Sequence, residues 1–254
     1  MSEPSQWIYG IHACQSALEH HADRVREVVF LKGRQDQRIQ RLVEMTGERG
    51  LKSRWLSRAE FDRIVQREAG NEARHQGVLM LTLAAPVMSE ADLEALVAGL
   101  NKPALLLVLD GVTDPHNIGA CLRSSDAFGV DAVIVPKDKS GSLSATAVKV
   151  ASGAAESVPF VVVTNLARTL DQLKQAGVWV YGAAGEATAT LAETDLKGPL
   201  AIVMGAEGKG LRRLTRETCD ALFKIPMAGQ VSSLNVSVAA GVCLYEATRQ
   251  RSVD

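Results

Sequence analysis

Three segments in the second half of the chain bring glycines together with carboxylate, amide, hydroxyl and guanidinium side chains. These segments are DGVTDPHNIGACLRSSDAFG (110–129), MGAEGKGL (204–211) and IPMAGQVSSLNVSVAAG (225–241). Carboxylates can take up a proton, guanidinium groups bind phosphate in a bidentate manner, and glycines let the backbone approach a ligand. Because the three segments together supply all of these groups, they indicate a chemical site more strongly than three structural turns.

The glycine spacing of the second segment excludes two common phosphate-binding motifs. GAEGKG (205–210) has the pattern G-x-x-G-x-G, whereas a dinucleotide-binding turn has G-x-G-x-x-G. A P-loop has Ser or Thr directly after its lysine, but Gly210 and Leu211 follow Lys209. The segment therefore does not predict a nucleotide-phosphate site, and a purely structural turn stays open for it when it is taken alone.

The three segments follow short apolar runs that are typical of buried parallel strands. Continuous rather than alternating hydrophobicity indicates strands that helices cover on both faces. The runs are ALLLVLD (104–110), AVIVP (132–136), PFVVV (159–163), VWVYG (178–182), LAIVM (200–204) and LFKI (222–225). Because ligands bind beyond the carboxyl ends of strands in open α/β sheets, we expect the three segments to meet at one edge.

The first 84 residues predict a smaller α/β unit. Its predicted elements are, in order, helix 11–20, strand 26–31, helix 36–48, strand 51–56, helix 58–67 and strand 77–83. A short helical stretch between two prolines follows, and the apolar pattern restarts after it. The predicted organisation is a domain at 1–84, a linker at 85–103 and a second domain at 104–254.

The charge distribution leaves two interpretations open for the first unit. The formal net charge of the chain is −1, which argues against a general nucleic-acid binder. Residues 22–75, however, hold thirteen Lys or Arg, eleven of them Arg, against nine Asp or Glu, a local net charge of +4. Such a surface is either a solvated helical face or an RNA-binding surface.

Composition and spacing exclude several other classes of protein. The N-terminus shows no signal peptide, and no apolar stretch approaches the ~18 residues of a membrane span. The cysteines are scattered, which suits reduced, structural thiols in the cytoplasm: Cys14, Cys121, Cys219 and Cys243. The histidines in the first unit lack ligand spacing, so we expect no metal site: His12, His20, His21 and His75.

The three polar segments resemble a known family in their order and spacing. NIGACLR (117–123), MGAEGKG (204–210) and SSLNVSVAAG (232–241) resemble the three motifs of the SpoU (TrmH-like) RNA ribose methyltransferases, over roughly 104–250. The start of the first unit, WIYGIHACQSALEH, resembles the ribosomal-protein-like RNA-binding domain of the branch that methylates a guanosine of 23S rRNA. Together the motifs are a specific signal, although each alone is weak.

This resemblance implies a SPOUT-type α/β fold, in which the C-terminal part of a parallel sheet is threaded into a trefoil knot. It also implies a homodimer that transfers a methyl group from S-adenosylmethionine to a ribose 2′-hydroxyl of 23S rRNA or of a ribosome assembly intermediate. By family analogy, backbone groups of Gly205, Ile225 and Leu234 hold the cofactor.

The family also implies a role for Arg123 as the base or its assistant, with Asn117 positioning it. A guanidinium has a pKa above ~12, so we instead expect Arg123 to grip a phosphate or the developing alkoxide. The proton would then leave through phosphate, water or Glu207, and Glu207 is expected to meet Arg123 or a guanosine edge. Ser233 and Asn235 open the last predicted helix, where N-capping and catalytic positioning are compatible.

Some alternatives stay open. Asp110, Asp114 and His116 suit either turn formation or substrate contact. The substrate could be tRNA or another rRNA position, and the chain could be a non-catalytic RNA-binding assembly factor. A nucleotide-dependent oxidoreductase is disfavoured because the dinucleotide pattern is missing.

Overall fold

The structure, a computed structural model, describes residues 5–34, 36–68, 75–84 and 87–252, and these form two sheets with flanking helices. The strands are β1 (Ser5–Tyr9), β2 (Val25–Leu31), β3 (Ser53–Leu56), β4 (Val78–Leu83), β5 (Val87–Met88), β6 (Leu105–Asp110), β7 (Ala132–Pro136), β8 (Phe160–Val163), β9 (Trp179–Ala183), β10 (Ala189–Thr190), β11 (Leu200–Gly205) and β12 (Ala221–Lys224). The helices are α1 (Ile11–His20), α2 (Gln37–Glu48), α3 (Arg58–Glu68), α4 (Glu90–Gly99), α5 (Pro115–Ala127), α6 (Ala145–Ala151), α7 (Ala154–Ser157), α8 (Leu166–Gln175), α9 (Arg213–Thr218) and α10 (Val236–Arg251).

The first unit is a four-stranded sheet with the order β1-β4-β2-β3, and it confirms each helix and strand predicted there to within two residues. Strand β1, which the sequence patterns did not predict, pairs antiparallel with β4. Apolar residues of α1 and α2, such as Leu18 and Leu42, belong to one hydrophobic cluster. Phe61 and Val65 of α3 belong to another with Val29 of β2, so the helices cover both faces of the sheet.

The second sheet has eight strands in the order β10-β12-β9-β11-β6-β7-β8-β5, and every neighbouring pair is parallel. All residues of β6 and β7 are buried, as continuous apolar runs predict for a sheet covered on both faces. The parallel α/β architecture expected from the sequence is therefore confirmed.

Residues 87–99 of the predicted linker at 85–103 fold onto the second sheet. Val87 pairs with Phe160 at the edge of the sheet. Helix α4 begins with a capping box between Ser89 and Asp92, and Leu93 is buried among apolar residues of the second sheet. A two-residue strand and a single buried leucine leave too weak a pattern to separate such a segment from a linker.

The two units share one hydrophobic cluster, in which Ile11 of α1 packs in the same core as Val148 of α6. An ion pair of 2.8 Å between Arg24 and Glu156 crosses this boundary, with the Glu156 side chain 2% exposed. Breaking such a pair leaves a buried charge, which is strongly unfavourable. Experiments on this protein therefore require the full chain, in which the shared core and the Arg24–Glu156 pair stay intact.

Arg251 at the end of α10 fixes that helix to the amino-terminal edge of the second sheet. Its guanidinium donates hydrogen bonds to four backbone carbonyls, those of Pro103, Ala104, Leu196 and Gly198. We expect Arg251→Ala to lower the free energy of unfolding by about 2–3 kcal/mol, because hydrogen bonds to charged groups contribute about 1.5–3 kcal/mol each and are not additive. Urea unfolding measures this loss.

The matched control is Arg249→Ala on the same helix. Arg249 is paired with Glu246 at the surface, so its loss is expected to change stability by less than about 1 kcal/mol. Equal losses in the two variants would contradict the role given to Arg251.

None of the helices in the described ranges is both long and apolar enough to cross a bilayer.

Candidate active site

The three polar segments meet at the carboxyl edge of the second sheet, as predicted. Strand β6 ends at Asp110 and its neighbour β11 ends at Gly205, and these two residues are paired in register. The polar segments begin at these ends and directly after β12, so the chain reversals lie side by side.

The second and third segments line an open cavity of about 640 Å³, a volume typical of a small-molecule site. Gly205, Ile225 and Leu234, the predicted cofactor contacts, all line it. Other lining residues include the predicted catalytic residues Glu207, Ser233 and Asn235. The structure thus brings six of the eight predicted site residues around one space.

A tight reversal after β11 carries Glu207 into the cavity wall. The backbones of Ala206 and Gly210 exchange two hydrogen bonds, of 3.2 and 2.9 Å. Gly205 lies so close that a Cβ atom on it would be 2.2 Å from the carbonyl carbon of Gly210. Arg212, which follows the reversal, connects it to the fully buried Asp110. The backbone N of Arg212 donates a hydrogen bond of 2.9 Å to the Asp110 carboxylate, and its guanidinium forms an ion pair with the same carboxylate.

Asn117, Glu207 and Asn235 form a closed hydrogen-bonded triad at the rim of the cavity. The amide nitrogens of Asn117 and Asn235 both donate to Oε1 of Glu207, at 3.2 and 2.6 Å. The amide nitrogen of Asn235 also donates to Oδ1 of Asn117 at 2.9 Å. No hydrogen bond to Oε2 of Glu207 comes from the described residues, so this oxygen is available to a ligand.

Asn235 also caps the last helix, which begins at Val236. Its Oδ1 accepts from the backbone N of Ser237 at 2.9 Å and from the Ser237 hydroxyl at 2.6 Å. The N-capping predicted for Asn235 is confirmed, while its role in catalytic positioning stays a prediction. Ser233 is exposed and precedes the cap by two residues, so the capping predicted for it is wrong.

Arg123 is exposed on α5 and forms no hydrogen bond or ion pair with any residue that the structure describes. Of the two contacts predicted for Glu207, the one with Arg123 is therefore wrong, because Glu207 contacts the two asparagines instead, and the one with a guanosine edge stays a prediction. Asn117 likewise contacts Glu207 and Asn235 rather than Arg123. Six residues separate Asn117 from Arg123, and at 100° per residue this spacing places them on different sides of α5.

Helix α5, which carries Asn117 of the triad, is positioned by its N-cap and by close packing on α6. Its N-cap, Asp114, accepts from the backbone N of His116 at 2.9 Å, and this bond lowers the pKa of the carboxyl from its ordinary value. Gly119 lets α5 approach α6, because a Cβ atom there would lie 2.5 Å from the carbonyl oxygen of Ala147. The predicted turn role is thus confirmed for Asp114, while Asp110 serves as an anchor for Arg212.

The described residues contain no cluster of three or more His, Cys, Asp or Glu that could hold a metal ion. Three of the four cysteines are buried, and burial raises the pKa of the Cys121 thiol to about 12. Thiols with such a raised pKa are poor nucleophiles, which agrees with structural cysteines.

Comparison with known proteins identifies the family of the chain and its fold. A family model described as "SpoU rRNA Methylase family" matches residues 104–245, more than half of the chain. The chain belongs to the SpoU rRNA methylase family. A second model, "RNA 2'-O ribose methyltransferase substrate binding", matches residues 7–86, which is the first unit.

Curated relatives of this SpoU protein match over nearly their whole length. The chain is 55% identical to the 23S rRNA (guanosine-2'-O-)-methyltransferase RlmB of Escherichia coli K12, over 98% of this chain and 100% of that protein. It is 56% identical to RlmB of Haemophilus influenzae, over 97% and 98% of the two chains.

Solved structures share the fold. A crystal structure of an RNA 2'-O ribose methyltransferase superposes with a TM-score of 0.78 at 27% identity, covering 99% of this chain and 90% of that one. The SpoU methyltransferase AviRb from Streptomyces viridochromogenes, solved with AdoMet, superposes with a TM-score of 0.80 at 23% identity, over 98% and 92% of the chains.

Proposed function

We propose that this SpoU protein transfers a methyl group from S-adenosylmethionine to the ribose 2′-hydroxyl of a guanosine in 23S rRNA. The observation that carries the proposal is the Asn117–Glu207–Asn235 triad on the rim of a ligand-sized cavity, within a chain that is 55% identical to RlmB. A non-catalytic assembly factor would have no need for a carboxylate held by two amides beside such a cavity.

The residues around the cavity fit S-adenosylmethionine. Half-buried Ile225 and Leu234 offer apolar surface for an adenine ring, and the reversal at Gly205 brings backbone groups to the cavity without an intervening side chain. We therefore assign cofactor binding to Gly205, Ile225 and Leu234. When bound, the sulfonium supplies an activated methyl group, so the protein has only to align the 2′-oxygen and relieve it of its proton.

Arg123 and Glu207 have different roles in this reaction. Arg123 is exposed and unpaired among the described residues, and its planar guanidinium binds an RNA phosphate or the developing alkoxide through two hydrogen bonds. Glu207 is held through Oε1 and presents Oε2 to the cavity, where it can accept a hydrogen bond or a proton from the substrate. Ser233 lies on the exposed wall of the same cavity and contributes a hydroxyl to substrate positioning.

The first unit at 1–84 docks the RNA, as its local charge of +4 and its family-model match support. We further propose that the chain works as a homodimer in the cytoplasm, with the trefoil knot that the resemblance implies. Val238, Val242 and Tyr245 give α10 an exposed apolar stripe at helical spacing, with exposed fractions of 52%, 38% and 57%. A second copy that covered this stripe would remove it from water.

Incubation of unmodified 23S rRNA with the full chain and S-adenosylmethionine tests the function. We expect one guanosine to gain a ribose methyl group, which stops alkaline cleavage at its 3′ phosphate and can be mapped to a single position. Labelling of tRNA or of a different rRNA nucleotide would favour the alternative substrates. Retention of cofactor binding without any labelling would favour the assembly factor.

The proposed reaction needs no metal ion, because alignment and proton transfer rest on protein side chains. We expect methylation in excess EDTA to proceed at the rate seen without chelator, once RNA folding has been shown to be unaffected. Complete loss of activity in EDTA, restored by one added divalent ion, would contradict this prediction.

A further inference from the structure

Ser237, the second residue of α10, is engaged with the triad although none of the functions above uses it. Its hydroxyl lies 2.6 Å and its backbone nitrogen 2.9 Å from the same atom, Oδ1 of Asn235. The side chain is half-buried and does not line the cavity. Ser237 therefore acts on the site only through Asn235.

The backbone bond determines which way the Asn235 amide faces, and the hydroxyl bond engages the same amide oxygen a second time. A backbone N–H can only donate, so the Asn235 atom that faces it must be the oxygen. The amide nitrogen then points the opposite way, where it donates to Oδ1 of Asn117 at 2.9 Å and to Oε1 of Glu207 at 2.6 Å. With both lone pairs of Oδ1 and both N–H groups engaged, the amide has a single arrangement.

We propose that Ser237 is a positioning residue for methyl transfer, with its hydroxyl fixing the Asn235 amide that holds Glu207 toward the substrate. The proposal rests on the proposed function, in which Oε2 of Glu207 faces the substrate. Without the hydroxyl, Oδ1 of Asn235 keeps one bond from the backbone, and the amide gains freedom to swing. Catalytic groups need to be held within about half an ångström, so looser support of Glu207 lowers the rate.

The kinetic test is a double-mutant cycle between Ser237 and Asn235. We expect Ser237→Ala to slow single-turnover methylation of 23S rRNA about five- to tenfold, the effect of one hydrogen bond, while cofactor affinity stays within about twofold. Ser237→Thr keeps the hydroxyl and restores most of the rate. In an Asn235→Ala background, Ser237→Ala is expected to cause no further loss, because its effect passes through Asn235.

Two kinetic outcomes would overturn the proposal. One is an unchanged rate in Ser237→Ala. The other is an equal loss in the original chain and in the Asn235→Ala background, which would mean that Ser237 acts independently. Ser89→Ala is the matched control, because it removes the hydroxyl that caps α4 beside the edge strand β5, with β7 and β8 between β5 and β6, and tests whether a lost helix cap alone slows the reaction.

A second measurement tests the positioning of the Asn235 amide independently of methylation activity. The side-chain amide signal of Asn235 in a nitrogen–proton NMR spectrum is assigned by its loss in Asn235→Ala. We expect Ser237→Ala, but not Ser89→Ala, to shift this signal and to speed its hydrogen exchange with water. An unchanged signal overturns the positioning role even if the enzyme is active. A changed signal in a protein that methylates no RNA supports the positioning role and rejects the proposed function.

Discussion

Replacing Arg123 by alanine is expected to lower the single-turnover rate of methyl transfer by at least about 10²-fold, the scale of one charge-stabilising or proton-handling group. Cofactor affinity and folding are expected to stay close to those of the original chain. The reason is that Arg123 is exposed, contacts none of the described residues through a hydrogen bond or ion pair, and is not part of the cavity wall. Calorimetric cofactor titration beside single-turnover methylation separates binding from chemistry.

Two further variants sharpen this prediction. Arg123→Lys keeps the charge but loses the bidentate fork, so it should restore the rate only slightly. Arg213→Ala removes another exposed guanidinium, one that is engaged with Glu217, and is expected to change the rate less than about twofold. A normal rate in folded Arg123→Ala would remove Arg123 from the active site, and parallel loss of folding and cofactor binding would make it structural.

Gly205→Ala is expected to abolish cofactor binding and to lower the free energy of unfolding by about 1–3 kcal/mol, the usual effect of overpacking. The added Cβ atom would lie 2.2 Å from the carbonyl carbon of Gly210 and 2.4 Å from the backbone nitrogen of Leu211. Both contacts are with backbone, so the clash can be relieved only by opening the reversal that carries Glu207. Urea unfolding and cofactor titration report the two effects.

Gly99→Ala at the end of α4 is the matched control, because a Cβ atom there meets no atom within 4 Å. This variant should bind cofactor as the original chain does and should be equally or slightly more stable, since alanine is the better helix former. If Gly205→Ala binds cofactor as tightly as Gly99→Ala, the reversal does not shape the cofactor site.

The candidate site was predicted unevenly. The resemblance to the SpoU family assigned Gly205, Ile225 and Leu234 to the cofactor, and this assignment fits segments that the strand pattern places at one edge of the sheet. Ser237 lies within the third motif, but its contact with Asn235 could not be predicted. Residue spacing does not distinguish an asparagine that only caps a helix from one that also accepts a hydrogen bond from a neighbouring hydroxyl. The packing of the predicted linker on the second sheet could not be predicted, because it depends on contacts with β8 and Thr164 that are distant in sequence.

Short-range patterns in the sequence are enough to predict the parallel α/β architecture and a helix that begins near Ser233 and Asn235. The choice of Asn235 as the cap, and the contacts of Glu207 with Asn117 and Asn235 rather than Arg123, depend on the folded chain. Asn117 and Asn235 are 118 residues apart, and their contact depends on how α5 and α10 are placed beside the end of β11. Strand order and helix packing determine where α5 and α10 lie, and neither can be predicted from a local pattern of residues.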